Sequence, residues 1–183
     1  MSAPFDEAAR IVRQGGLIAY PTETVYGLGC LPTDTAALEK LLALKQRNPD
    51  KGLILLGANA SQLKPFTRNL TASDWEKISR TRQRATTWIV PAAPGLSPLL
   101  TGAHNHIALR LSHYDFVRQL CNACQSALVS TSANLSGEPA TTRWEDLPQR
   151  LLDQLDYVLP GSCAGEARPS RIIDLKTGRI LRD

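Results

Sequence analysis

The chain has 183 residues, 43% of them hydrophobic, 21% charged and 5% aromatic, with a formal net charge of +4. That length fits one domain, 1–183, with a sizeable core, and no apolar run approaches the ~20 residues that span a bilayer. The opening Met-Ser-Ala-Pro-Phe-Asp-Glu carries acids and no apolar signal core, which argues for the cytoplasm, and so few aromatics argue against a base-stacking platform for single strands.

Residues 6–14 hold Ala9, Ile11 and Val12 at helical spacing and stop at Gly15-Gly16. Residues 17–20, Leu-Ile-Ala-Tyr, form a short apolar strand. Proline cannot continue a ladder, so the chain is expected to leave the sheet at Pro21. A polar loop then presents the hydroxyls of Thr22 and Thr24, with Gly27 and Gly29 permitting close approach of the backbone to another group. This stretch suits a ligand loop at a strand end and a tight strand-to-helix turn equally well. Asp34 caps a second helix through Ala37, Leu38, Leu41, Leu42 and Leu44, which the restriction before Pro49 should end. Residues 53–56 are a buried strand, and Asn59 and Thr71 open two shorter helices.

Strands follow at 86–90 and 107–111, around a Pro/Gly-rich loop over 91–102. A helix at 115–123 leads into a core strand at 127–129, and residues 130–137 again end a strand in a hydroxyl-rich loop. An amphipathic helix over 145–155, a strand at 157–159 and a hairpin of 171–175 with 179–181 complete the chain. Strands alternating with helices and a closing hairpin predict an α/β fold whose sheet mixes parallel and antiparallel strands.

Cations cluster as Lys45, Arg47 and Lys51, as Arg80, Arg82 and Arg84, and as Arg168 with Arg171; such clusters suit phosphate-bearing ligands or nucleic acid. Cys121 and Cys124 form a lone C-x-x-C on a helical pattern, and with Cys30 and Cys163 they read as buried thiols rather than metal ligands. His104, His106 and His113 read as solvated loop residues, and no metal site is expected. No phosphate-binding P-loop, complete dinucleotide fingerprint, zincin motif or nucleophile elbow is present. What remains is a set of groups near strand and helix ends: Lys45, Arg47, Arg110, Ser130, Ser132, Asn134, Ser170 and Arg182. Each alone is an ordinary capping or surface residue. Together they provide hydroxyls, an amide and cations without a nucleophile–base pair, an inventory suited to orienting an anionic ligand during phosphoryl or nucleotidyl transfer.

Residues 20–29, Tyr-Pro-Thr-Glu-Thr-Val-Tyr-Gly-Leu-Gly, and 130–137, Ser-Thr-Ser-Ala-Asn-Leu-Ser-Gly, resemble the YrdC-like family of threonylcarbamoyl-AMP synthases. Lys45-Gln46-Arg47 looks like that family's K-x-R, and the stretch from Arg168-Pro169-Ser170 to Ile180-Leu181-Arg182 matches its ending. The resemblance implies a twisted open sheet with flanking helices, in a short form without an additional C-terminal domain. It implies formation of threonylcarbamoyl-AMP and pyrophosphate from L-threonine, bicarbonate and ATP, with Mg²⁺ at the phosphates. The product would pass to a threonylcarbamoyl transferase complex that modifies tRNA, and tRNA or double-stranded RNA could itself bind.

Carried over by motif, Thr22, Arg110 and Ser170 would contact threonine, and Lys45 and Arg47 phosphate or carboxylate oxygens. Ser130, Ser132 and Asn134 would orient the adenylate and the carbamate, and Thr87 and Arg182 the nucleotide. The chain departs from the family's W-P-G-P turn, carrying Arg82-Gln83-Arg84-Ala85-Thr86-Thr87 instead. That departure motivates an alternative, a non-catalytic RNA-binding module on the same fold.

Overall fold

The computed structural model describes residues 3–81, 83–135, 137–165 and 169–183. Arg82, Ser136 and Arg168, named above in the cation clusters and motifs, lie outside them. Helix α1 (Ala3–Arg13) turns Phe5, Ala8, Ala9, Ile11 and Val12 inward. Strands β1 (Ile18–Pro21) and β2 (Tyr26–Gly29) then pair antiparallel, with Pro21 opposite Tyr26. Pro21 is therefore the last paired residue and not the exit from the sheet, a terminal position where the missing donor is tolerated. The expected glycine loop is instead a strand closed by the short turn 22–25. Gly29 serves its own chain, since a Cβ there would stand 2.7 Å from the Tyr20 ring and 2.5 Å from the Val129 carbonyl oxygen.

Asp34 caps α2 (Thr35–Lys45) by accepting from the Ala37 N–H at 3.0 Å. The helix closes on Gln46 in the left-handed conformation, φ 46, so a C-terminal cap and not the approach to Pro49 stops it. Strand β3 (Ile54–Gly57) is followed by α3 (Ala60–Leu63) and α4 (Ala72–Ser79), capped by Asn59 and Thr71 as expected. Strands β4 (Thr86–Pro91) and β5 (His106–Leu111) flank the expected loop, which contains the single turn α5 (Pro98–Thr101). After α6 (Asp115–Cys124) and β6 (Leu128–Ser132), the helix expected over 145–155 is broken. A 3₁₀ turn (Trp144–Asp146) and α7 (Gln149–Leu152) replace it, with Pro148 between them denying a backbone donor. Strand β7 (Tyr157–Val158) and the hairpin β8 (Arg171–Asp174) and β9 (Ile180–Arg182) complete the chain.

Among the described residues nine strands form one sheet in the order β7-β1-β2-β6-β3-β5-β4-β8-β9. The pairs β1/β7, β3/β5 and β4/β8 run parallel and the other neighbours antiparallel, the mixed direction expected from the sequence. Side chains alternate between the two faces. One face presents Leu28, Leu55, Trp88, Leu109 and Val129 to α2, α4 and α5. The other presents Ile18, Tyr20, Leu56 and Leu128 to α1 and α6. Those two helices cover only part of the second face. By register, Ser130 and Ser132 on β6, Gly27 on β2 and Arg110 on β5 share that face with Leu56 and Leu128, and they floor a cavity there.

Candidate active site

The cavity measures about 480 Å³, within the range of small-molecule sites. Thr22, Arg47, Arg110, Ser130, Ser132, Asn134, Ser170 and Arg182 line it, with Thr24 and Gly27 between them. The two hydroxyl-rich corners, some 110 residues apart in sequence, meet because β2 lies between β1 and β6 and pairs Gly27 with Ser132. A Cβ at Gly27 would crowd Ser130 Oγ and Thr22 Cγ2, both at 3.1 Å, so glycine keeps the corners close.

Each corner is locked by its own polar groups. Thr22 Oγ1 donates to the Val25 carbonyl at 2.7 Å and accepts from the Thr24 N–H at 3.2 Å, fixing the β1–β2 turn. In the second corner Ser132 Oγ donates to Asn134 Oδ1 at 2.6 Å, and Asn134 Nδ2 donates to the Glu138 carbonyl at 2.5 Å. The Lys45 ammonium donates to the Ser132 carbonyl at 2.7 Å, to Asn134 Oδ1 at 2.8 Å and to the Asn134 carbonyl. All three of its donors are thereby engaged. Lys45 is buried behind the second corner and is absent from the cavity lining. Burial, and then the Arg47 cation nearby, brings its ammonium down to about 8.

Three guanidinium groups face the cavity. Arg47 donates to the Gly52 carbonyl at 3.0 Å, and its buried Nε has no partner. Burial holds its proton affinity below the ordinary value. Arg110, with 7% of its side chain exposed, lies 3.4 Å from Glu23 Oε2, while Glu23 Oε1 accepts from Ser112 Oγ at 2.5 Å. Arg110 Nε is buried without a partner. Arg182 donates to the Ser170 carbonyl through Nε at 3.0 Å and Nη2 at 2.8 Å, and to Ser170 Oγ at 3.2 Å. Burial and then the cations Arg110, Arg47 and Arg84 lower the proton affinity of Arg182. A wall cation whose charge its cationic neighbours disfavour belongs to a site whose field an anion would relieve.

Thr87 stands apart. It is wholly buried, and its hydroxyl shares a 2.9 Å hydrogen bond with Ser170 Oγ behind the wall. In this placement it steadies Ser170 and is absent from the cavity lining. Sequence reasoning did not single out Glu23, which neutralises part of Arg110. The signal was present: Glu23 is the one acid between the two threonines of the first motif. The other expectations fall away from the site. Cys30, Cys121 and Cys124 are buried free thiols, and burial raises Cys30 to about 12 and Cys124 to about 11, whereas Cys163, also expected to be buried, is only half-buried. The three histidines are exposed.

Fold and site define a class: an α/β protein with an alcohol-lined, cation-ringed cavity beside the uncovered part of its sheet. The model of the Sua5_yciO_yrdC family, described as "Telomere recombination", matches residues 10–183. The threonylcarbamoyl-AMP synthase of Stenotrophomonas maltophilia (strain K279a) is 45% identical over 179 residues, 97% of this chain and 96% of that protein. The threonylcarbamoyl-AMP synthase of Chromohalobacter salexigens is 44% identical over 176 residues, 96% and 95% of the two chains. The crystal structure of P. abyssi Sua5 complexed with L-threonine superimposes with a TM-score of 0.87 at 27% identity, covering 97% of this chain and 53% of that one. This chain belongs to the Sua5/YciO/YrdC family.

Proposed function

We propose that this protein is a threonylcarbamoyl-AMP synthase. It condenses L-threonine, bicarbonate and ATP into threonylcarbamoyl-AMP and releases pyrophosphate. The threonine amine adds to bicarbonate carbon with loss of water, giving a carbamate. A carbamate oxygen attacks the α-phosphorus, and the bond to the pyrophosphate oxygen breaks. No side-chain nucleophile is required, so the protein contributes alignment and charge neutralisation. The observation that carries the reading is the convergence of Thr22 and Asn134 on one cavity ringed by Arg47, Arg110 and Arg182.

In this reading Arg110 clamps the threonine carboxylate, for which a guanidinium fork is suited, with Thr22 and Ser170 alongside. Arg47 and Arg182 take phosphate oxygens. Ser130, Ser132 and Asn134 orient the carbamate and the adenylate, and Lys45 holds the Ser132–Asn134 corner in register. Mg²⁺ would travel with the triphosphate, because it commonly keeps waters and takes phosphate oxygens as ligands. Among the described residues no group of three or more His, Cys, Asp or Glu gathers, and the hydroxyls of Ser130 and Ser132, on the cavity face of β6, would meet a hydrated, phosphate-bound ion. Such an ion would neutralise phosphate charge.

The product is an activated acyl phosphate, which a transferase acting on tRNA would consume. No helix among the described residues is long and apolar enough to cross a membrane, and we place the activity in the cytoplasm, carried by residues 1–183 as a single domain. The test is pyrophosphate release with ATP, threonine and bicarbonate together and with each omitted in turn, alongside detection of the adenylate by mass. Release that ignores threonine or bicarbonate refutes the synthase, and no release at all leaves the RNA-binding module on the same fold.

A further inference from the structure

We infer that Arg84 is a positioning residue that fixes Ser170 and Arg182 in the wall of the cavity. Arg84 lies just before β4, outside the 480 Å³ cavity but on the wall of an adjoining cavity of about 650 Å³ that Thr24 and Arg110 also line. Its Nη1 donates to Asp183 Oδ1 at 2.9 Å, and its Nη2 donates to the Pro169 carbonyl at 3.1 Å. Pro169 immediately precedes Ser170, and Asp183 immediately follows Arg182. One planar fork therefore grips the chain next to each of two site residues, on two separate segments. Asp183 Oδ1 also accepts from Arg171 Nε at 2.6 Å, so the carboxylate ties the start of β8 to the end of β9. Between the gripped points, Arg182 donates twice to the Ser170 carbonyl.

The need for such a clasp follows from where β9 sits. It is the edge strand of the sheet, paired only with β8 through a register that shifts at Ile172/Ile173. Ile180 is 50% and Leu181 52% exposed, so little apolar burial holds the strand. Short, solvated edge strands are among the first elements to open. Arg182 also sits in a like-charged neighbourhood of Arg110, Arg47 and Arg84 itself, which disfavours its cation, so the hydrogen bonds of the clasp must outweigh the repulsion Arg84 adds. Without a tether, repulsion and fraying both carry Arg182 away from the cavity. The Asp183 carboxylate, held by Arg84 and Arg171, anchors the strand end and offsets part of that charge. A guanidinium is suited to this work because its donors are fixed in one plane, whereas a lysine ammonium has no rigid fork to span both acceptors.

The inference rests on the synthase reading, so the full-length wild-type chain is first assayed for threonine- and bicarbonate-dependent pyrophosphate release. Absence of that activity overturns the synthase reading alone. The clasp is then judged by amide hydrogen exchange at residues 180–183, which should quicken at least about tenfold in Arg84→Ala if one charge-assisted hydrogen bond is lost. Where the activity is present, Arg84→Ala and Asp183→Asn should each raise KM for ATP about tenfold, with kcat held within about twofold, as expected for loss of one charge-assisted hydrogen bond. Arg84→Lys should recover only part of the loss. The deciding measurement is the pair with Arg182→Ala. If Arg84 acts through Arg182, the double variant should match Arg182→Ala within about twofold, because coupled residues are not additive. Full additivity, an unchanged KM in Arg84→Ala, or unchanged exchange at 180–183 overturns the proposal. Should Arg84→Ala fail to fold, Asp183→Asn carries the same measurements, since it keeps the shape of the acceptor and removes its charge.

Discussion

Replacing Glu23 by Gln should weaken the empty protein and sharpen its response to threonine. Glu23 and Arg110 lie 3.4 Å apart with 18% and 7% of their side chains exposed. At an effective dielectric of about 20, that separation corresponds to a gross attraction of about 5 kcal/mol. The desolvation already suffered by both groups offsets much of it, but removing one partner leaves Arg110 charged and uncompensated, which costs about 3–5 kcal/mol. The amide still accepts the 2.5 Å hydrogen bond from Ser112 Oγ, so the lower end, about 3 kcal/mol, applies. For a chain of this length that lowers Tm by about 6–12 °C. A bound carboxylate would return a counter-charge to Arg110. The stabilisation by saturating threonine should therefore exceed that of the wild type by about 1–2 kcal/mol, within the range of a charge-assisted hydrogen bond. Thermal melts of both proteins, with and without threonine, measure both quantities. A variant that melts within 2 °C of the wild type (about one unit of that scale), or gains no more from threonine, refutes the assignment of Glu23 as the partner of Arg110.

Thr87→Val removes the hydroxyl bonded to Ser170 while nearly preserving shape, and should raise KM for threonine about tenfold with little change in KM for ATP; the reverse pattern would return Thr87 to direct nucleotide contact. Lys45, lowered to about 8 from its ordinary 10.5, should titrate near pH 8 in a spectrum of carbon-labelled lysine, and no titration below about pH 9.5 would contradict its burial. Since its folded value lies below the unfolded one, the folded chain sheds this proton first. That group's contribution to stability therefore rises between about pH 8 and 10.5, while the Ser132–Asn134 corner loses a donor and threonine turnover falls. Asp34→Ala removes the cap of α2 and should cost about 1 kcal/mol, read as a small drop in Tm with unchanged kcat; a matching loss of activity would tie that cap to the site.

Periodicity and punctuation exposed most elements, because helices at 35–45 and 115–124 repeat their apolar residues at helical spacing and short strands stand between polar breaks. The hairpin at 18–29 was hidden by Pro21 and two glycines, residues that ordinarily mark departure from a sheet. Their presence reflects tertiary crowding by Tyr20, Ser130 and Thr22, which no local pattern encodes. The broken segment near Pro148 shows the opposite error, an apolar period trusted over a proline. Within the site, the motifs named which residues gather but not which of them face the cavity. Lys45 and Thr87 stand behind the lining, a distinction set by the depth of β4 and α2 beneath the surface. Arg84 was noticed as a departure from the family turn, and its bonds to Pro169 and Asp183 depend on contacts 85 and 99 residues away.

The half-covered face of the sheet has a consequence for how sequence change is felt. On β6, Leu128 lies under α6 while Ser130, two residues along the same face, opens onto the cavity. Two residues of strand span about 7 Å. Loss of bulk at the first position should weaken folding, whereas on the proposed reading loss of a hydroxyl at the second should spare folding and lower turnover. The frontier between holding a shape and using it is thus one pleat wide, and it crosses β6 between Leu128 and Ser130 and β3 between Leu56 and Ile54, so that natural variation should change its character abruptly along these two strands.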